Sequence, residues 1–240
     1  MRPNLQSLVD DPLAMLLFSG LTVVVYVAAL ALFRRCRQAP ATNPVLVSVA
    51  LLGTILLLLD IPYPRYSTGT GPLQLLLGPA TVALAVPLHA QLHRIRTATI
   101  PLLGLLSLGA VGGIVSSALP AKWLGASEEV LLSLALKGIT TPIAMNVAEQ
   151  LGGSPSLTAV LVILTGVLCA IVGPPLLSLL DVRSSAARGF ALGLTGHGIA
   201  TAQSFLEDEE AGAFAGLALG LNGIATALLA PLLVPWLLIG

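Results

Sequence analysis

The 240-residue sequence predicts an all-α polytopic membrane protein, and three observations carry that prediction. Hydrophobic residues make up 56% of the chain and charged residues 9%, with a mean hydropathy of +0.96; an average soluble domain has about a quarter charged residues. Eight apolar stretches, at 13–33, 44–61, 73–92, 99–119, 130–150, 156–180, 186–206 and 211–239, approach the roughly 20 residues that a spanning helix needs. Finally, Gly-x-x-Thr occurs three times inside these stretches at intervals of 60 residues: Gly78-Pro79-Ala80-Thr81, Gly138-Ile139-Thr140-Thr141 and Gly198-Ile199-Ala200-Thr201. Membrane segments and short connections consume nearly all of the length. A single membrane domain over residues 1–240 is expected, with the lipid bilayer as its surroundings, and a soluble catalytic or nucleic-acid-binding domain is excluded.

The first stretch follows Asp10 and Asp11 and ends in Arg34-Arg35-Cys36-Arg37. That is the pattern of a retained helix with a cytoplasmic anchor rather than a cleaved leader. The start is not Arg- and Ser-rich, so a bacterial inner membrane is the expected location. Cys36 in the basic loop and Cys169 in an apolar stretch predict no disulfide. The second stretch completes a pair of N-terminal helices over 13–61, after Gln38-Ala39-Pro40. Pro62-Tyr63-Pro64-Arg65 and Ser67-Thr68-Gly69-Thr70-Gly71-Pro72 then read as a loop.

From residue 72 to 240 the remaining stretches form three hairpin-like units of about 60 residues, separated by Gly125-Ala126-Ser127 and Gly152-Gly153-Ser154-Pro155. Seven or eight membrane segments with internal repeats result. Glycine, proline and threonine at equal depth in each unit predict discontinuous helices, because they add backbone freedom, remove donors or divert hydrogen bonds. Unwound backbone at membrane depth persists only where protein or a water-filled cavity satisfies it, which is where carriers bind solutes. In this register Lys137 and His197 coincide, as do Thr81, Thr141 and Thr201.

The charges test the path. If every stretch spans, Arg34, Arg35, Arg37, Arg94 and Arg96 share one side, but Arg183 and Arg188 fall on the other, against the positive-inside rule. A re-entrant path for the segment around Gly138-Ile139-Thr140-Thr141-Pro142 returns both arginines to the cytoplasm and places Glu207-Asp208-Glu209-Glu210 outside.

Lys137 is the most informative side chain, since an ammonium in an apolar stretch costs about 2.5–3.5 kcal/mol and should face a partner or a cavity. Thr140, Thr141 and Pro142 suit the start of a half-helix. With Lys137, that helix N-terminus makes a corner fit for a small carboxylate. The plainer reading has Lys137 snorkelling, or paired with Glu149. His197 could donate to a carboxylate or exchange a proton in symport; equally, it could cap a carbonyl where the helix unwinds. Thr81, Thr141 and Thr201 offer hydroxyls, and Asn146, Gln203 and Asn222 offer amides, each also suited to holding helices together. Glycines such as Gly109, Gly112 and Gly113, and Gly212, Gly216 and Gly220, suit close helix packing and leave a homodimer open. His89 and His93 stand one turn apart at a basic edge and read as interfacial, so no metal is expected. The chain has no nucleotide loop, no intramembrane Ser/His/Asp set and no zinc-type histidine motif. A non-enzymatic protein without a cofactor follows.

Three segments, Leu77-Gly78-Pro79-Ala80-Thr81-Val82-Ala83-Leu84-Ala85-Val86-Pro87-Leu88, Lys137-Gly138-Ile139-Thr140-Thr141-Pro142-Ile143-Ala144-Met145 and Gly196-His197-Gly198-Ile199-Ala200-Thr201-Ala202, resemble the LrgB/CidB family, and the likeness covers about residues 40–240. The family's usual second segment has Ser-Val where this chain has Gly138-Ile139. The resemblance implies a membrane protein working with a small holin-like LrgA/CidA partner in the control of murein hydrolase export and autolysis. It equally implies transport of a short monocarboxylate such as pyruvate, lactate, glycolate or glycerate, since the plant plastidal glycolate/glycerate translocator is similar. A separate small partner is implied because the holin-like half is not seen in this chain. The carboxylate-carrier reading agrees with the corner at Lys137.

Overall fold

Prolines mark where many of the helices begin, in keeping with their fitness for a first turn and their lack of an amide hydrogen. In the computed structural model, which describes residues 12–36, 42–83, 89, 92–97 and 99–239, α1 starts at Pro12 (Pro12–Arg35) and α2 at Pro44 (Pro44–Leu58). Asn43 caps α2, its side-chain oxygen accepting from the amides of Val45 and Leu46 at 3.0 and 3.3 Å. The described residues are helical, with no strand among them, and divide into two units, one within 1–85 and one within 86–240.

In the first unit, α3 (Tyr63–Gly69) and α4 (Gly71–Ala83) follow α2. The stretch from Pro62 to Pro72, expected as a loop, is therefore largely helical. Proline next to the start of each helix favours a helical first turn over a coil. Tyr66 ties α3 to α1: its hydroxyl lies 2.8 Å from Thr22 Oγ1 and its ring meets Phe18 edge-on at 5.8 Å. Ser19 donates to the Gly69 carbonyl at 3.1 Å. Gln38-Ala39-Pro40 lies outside the described residues, as does the Thr81 side chain.

The second unit holds α5 (Leu92–Thr97), α6 (Thr99–Trp123), α7 (Glu128–Ala135), α8 (Thr141–Leu151), α9 (Pro155–Leu179), α10 (Ser185–Glu207) and α11 (Glu209–Ile239). α6 and α9, at 25 residues each, are about 37 Å long at 1.5 Å per residue, enough to cross a bilayer. α1, α6, α9 and α11 are the four helices among the described residues that are long and apolar enough to span.

The remaining segments double back. Ser154, just past α8, donates its amide to Ser133 Oγ within α7 at 3.0 Å. A straight run of α7 and α8 would hold those residues tens of ångströms apart, so the chain reverses over residues 136–140. Gly153 lets the closure pack tightly, since an added Cβ would lie 3.1 Å from Leu132 Cβ. α10 reverses as well, at His197, whose φ of 41° and ψ of −136° break the helix. Its two ends meet: Arg188 pairs with Glu207 at 3.6 Å, and Gly189 lies so close to the Ala211 backbone that a Cβ could not fit.

These two hairpins enter from opposite ends of the unit. α6 leaves an end that carries Arg94 and Arg96 on α5 and finishes where the 128–151 hairpin begins and ends. α9 then returns to the basic end, where Arg183 and Arg188 lie and where the second hairpin opens and closes. Within this unit Arg94, Arg96, Arg183 and Arg188 thus share one end, as the re-entrant path required of them. The acidic run does not sit opposite them, as had been expected: the second reversal brings Glu207 and Asp208 back beside Arg188 and Ser185. Helix boundaries repeat at 56–57 residues (Thr99 and Pro155, Trp123 and Leu179, Glu128 and Ser185). His197 therefore stands opposite Thr140 and Thr141, not Lys137, in the repeat.

Two apolar clusters pack the two ends. Ile114, Leu132, Leu136, Ile139, Ala144, Val162, Ala230 and Val234 bury the first hairpin. Leu102, Leu106, Phe190, Phe214 and Ala218 bury the second. Between them is a polar waist.

Candidate functional site

The waist is built where the hairpin tips meet. Unwinding at 136–140 and at His197 leaves main-chain carbonyls without helical partners, and in an apolar setting each needs another donor. Asn222, in the middle of α11 and 4% exposed, supplies it. Its amide donates to Gly138 O at 3.1 Å and to Leu194 O at 2.9 Å, one carbonyl from each hairpin. Thr226, one turn on, donates to Asn222 Oδ1 at 3.2 Å and so fixes which face of the amide points at the carbonyls.

A cavity of about 280 Å³ adjoins this clasp. Its walls are Gly109, Gly112, Gly113 and Ser116 of α6, Lys137 and Gly138 at the first tip, Leu194 and Thr195 of α10, and Asn222 and Thr226 of α11. A Cβ at Gly112 or Gly113 would meet nothing within 4 Å, so these glycines leave room that larger residues would fill. Lys137 is half-buried and, among the described residues, no carboxylate pairs with its ammonium. Glu149, considered as its partner on sequence, is exposed on α8. Lys137 and Thr195 also border a second, mainly apolar groove of about 520 Å³ between α9 and α10, lined by Thr165, Leu168, Cys169, Val172 and Leu176 among others.

The other residues singled out from sequence are placed differently. His197 is 4% exposed and bonds Val162 O through Nε2 at 2.8 Å, an arrangement that needs Gly166 because a Cβ there would come within 2.7 Å of the ring. It borders neither cavity. Thr201 is buried and donates to His197 O at 2.7 Å, closing the first turn after the break. Thr140 precedes α8 but its side chain makes no cap bond, and Pro142 occupies the first turn. Asn146 is exposed and donates to Pro142 O at 2.8 Å on its own helix. Thr140, Thr141, Pro142 and Asn146 are absent from both cavity walls. The structure therefore brings Lys137 together with Asn222, and it adds Ser116, Thr195 and Thr226, which no motif marked. Among the described residues, no three histidine, cysteine, aspartate or glutamate side chains converge as a metal site.

At the base of the second hairpin, Arg188 donates to Ser178 Oγ and Val182 O at 3.2 Å and to Pro174 O at 3.3 Å, besides pairing with Glu207. The Ser185 hydroxyl, helped by the first amides of α11, holds the Asp208 carboxyl below the usual carboxylate range. Together they latch the hairpin mouth.

Comparison with known proteins places the sequence. YwbG of Bacillus subtilis, described as uncharacterized, is 37% identical over 217 residues, covering 90% of this chain and 96% of YwbG. An uncharacterized Haemophilus influenzae protein is 34% identical over 215 residues, with 90% and 93% covered. The antiholin-like protein LrgB of Bacillus mycoides is 27% identical over 216 residues, with 90% and 94% covered. No solved structure matches. The profile of the LrgB-like family matches residues 22–236, and the chain belongs to that family.

Proposed function

We propose that this chain is a carrier of small monocarboxylates, of the pyruvate, lactate, glycolate or glycerate type, in a bacterial inner membrane. The observation that carries the reading is Lys137, a half-buried ammonium with no carboxylate partner on the wall of a cavity of about 280 Å³. A cation held at that depth attracts an anion, and a carboxylate would complete the pair. In this reading the basic end faces the cytoplasm, the two hairpins are re-entrant half-membrane elements, and their tips meet near the bilayer midplane. α8, at about 16 Å, is half as long as the hydrocarbon core is thick. Ser116, Thr195 and Thr226 would offer hydroxyls to the 2-oxo or 2-hydroxy oxygen. His197 and Thr201 hold the second break open, and the first-turn amides of α8 add positive potential behind Lys137. Inverted hairpins around a central site suit alternating access.

A second reading, regulation of murein hydrolase export with a small holin-like LrgA/CidA partner, is favoured by the antiholin-like name of relatives at 26–27% identity. Counterflow in proteoliposomes separates the two. Preloaded unlabelled pyruvate should accelerate entry of labelled pyruvate, with saturation, for a carrier. Flux that neither saturates nor exchanges, or that appears only with the small partner present, favours the second reading.

A further inference from the structure

The central cavity and the apolar groove share two residues, Lys137 and Thr195. The cavity walls are mixed, with Ser116, Asn222 and Thr226 set among glycines and Ala110, Ile114, Ala135 and Leu194, whereas beyond Thr165 the groove is walled by Leu168, Cys169, Val172, Leu176, Leu177, Ala191 and Leu192 from α9 and α10. The groove leaves Lys137 toward the basic end, since Leu176 and Leu177 lie in the last turn of α9. A cation and a hydroxyl at the end of an open apolar groove have the form of an amphipathic receptor, with a polar end at Lys137 and Thr195 and an apolar body along α9 and α10.

Building on the carboxylate reading of Lys137, we propose that the groove receives the hydrocarbon tail of an aliphatic monocarboxylate whose head is held at Lys137. The substrate class then extends beyond three-carbon acids to acids with several methylenes. Continuity of the groove with the cavity at Lys137 sets the occupant, because a tail whose carboxylate is fixed there has this open groove as its apolar exit. Each methylene that enters should tighten binding about fourfold, equivalent to ~0.8 kcal/mol. Val172, half exposed on the groove wall, is a point at which a larger side chain would obstruct the tail without entering the packed core.

Cys169 provides a native reporter, since its thiol lies on the groove wall beside Leu192 O. In a Cys36→Ser background in proteoliposomes, the rate of Cys169 alkylation by a small maleimide is measured against increasing acetate, butyrate and hexanoate. The expected result is protection whose half-effective concentration falls about fourfold per methylene, is abolished by Lys137→Ala, and loses its chain-length dependence in Val172→Trp. Equal protection by all three acids, or protection by hexanoate that survives Lys137→Ala and therefore reflects partition into lipid, overturns the proposal. Labelling does not require transport, so the outcomes are separable. Chain-length-dependent protection without saturable pyruvate uptake would remove the carrier reading and leave the site. Saturable pyruvate uptake without such protection would remove the groove and leave the carrier.

Discussion

At the scale of single residues, Asn222 joins the two hairpins: one amide serves a carbonyl from each. Removing it leaves two buried carbonyls without donors, at roughly 1–3 kcal/mol each for unsatisfied groups, although membrane measurements of single bonds average nearer 0.6. Asn222→Leu, close in size, is therefore expected to destabilise the protein by about 1–3 kcal/mol in all, read as a lowered melting temperature in detergent. An unchanged melt would show that the clasp is not needed. Lys137 was legible in the sequence because a lone cation in an apolar stretch is expensive anywhere, whatever the fold. Ser116, Thr195 and Thr226 were not, because a hydroxyl in a membrane helix ordinarily bonds its own preceding turn and gives no signal until neighbouring helices are placed. His197 was legible as the residue at a break, but its ring turns away from the cavity to Val162.

Element by element, the hairpins were half visible. The second and third Gly-x-x-Thr and the nearby Pro142 marked where helices stop, a local property of backbone chemistry. The first did not: α4 runs through Gly78-Pro79-Ala80-Thr81, where a discontinuity had been expected, because neither Gly78 nor Pro79 by itself obliges a helix to end. Reversal was not visible, because it is fixed by contacts distant in sequence, Ser133 with Ser154 and Arg188 with Glu207. The same fact explains the misplaced acidic run. One reversal sends it to the far side, and two bring it home. Close packing of the second hairpin on α11 depends on Gly193, where a Cβ would run into the Ala215 carbonyl. Gly193→Val should cost at least about 1–3 kcal/mol through overpacking, seen as a lower melting temperature and poor recovery from membranes. Asp208 gives a pH signature. Its carboxyl is lowered in the folded state, so its contribution is complete above the unfolded-state value of about 3.9 and disappears as pH falls through the depressed folded value. Melting temperatures measured from pH 6 downward should fall less steeply in Asp208→Asn than in the parent; identical slopes would show that Ser185 and the α11 amides exert no such hold.

For the whole molecule, the account requires the unit spanning 86–240 to be an inverted pair. Residues 124–127 and 152–154 should be reachable from one face of the membrane, and residues 180–184 and 207–209 from the other. Single cysteines introduced at Ser127 and Ser154, and at Ser184 and Asp208, in a background carrying Cys36→Ser and Cys169→Ser can be labelled with an impermeant maleimide on intact cells. The first two should label from outside and the second two only after permeabilisation. Labelling of Asp208→Cys from outside would return the second hairpin to a full span. That arrangement was within reach of the sequence only through the arginines, which demanded one re-entrant path and said nothing about a second.

The central claim is that Lys137 holds a carboxylate. Initial rates of radiolabelled pyruvate uptake into proteoliposomes test it most directly, compared among the parent, Lys137→Ala and Lys137→Arg after equal reconstitution has been established. Saturable uptake that is lost with alanine and partly kept with arginine, at a raised KM, is the predicted result. Saturable uptake that survives in Lys137→Ala with an unchanged KM would contradict the account.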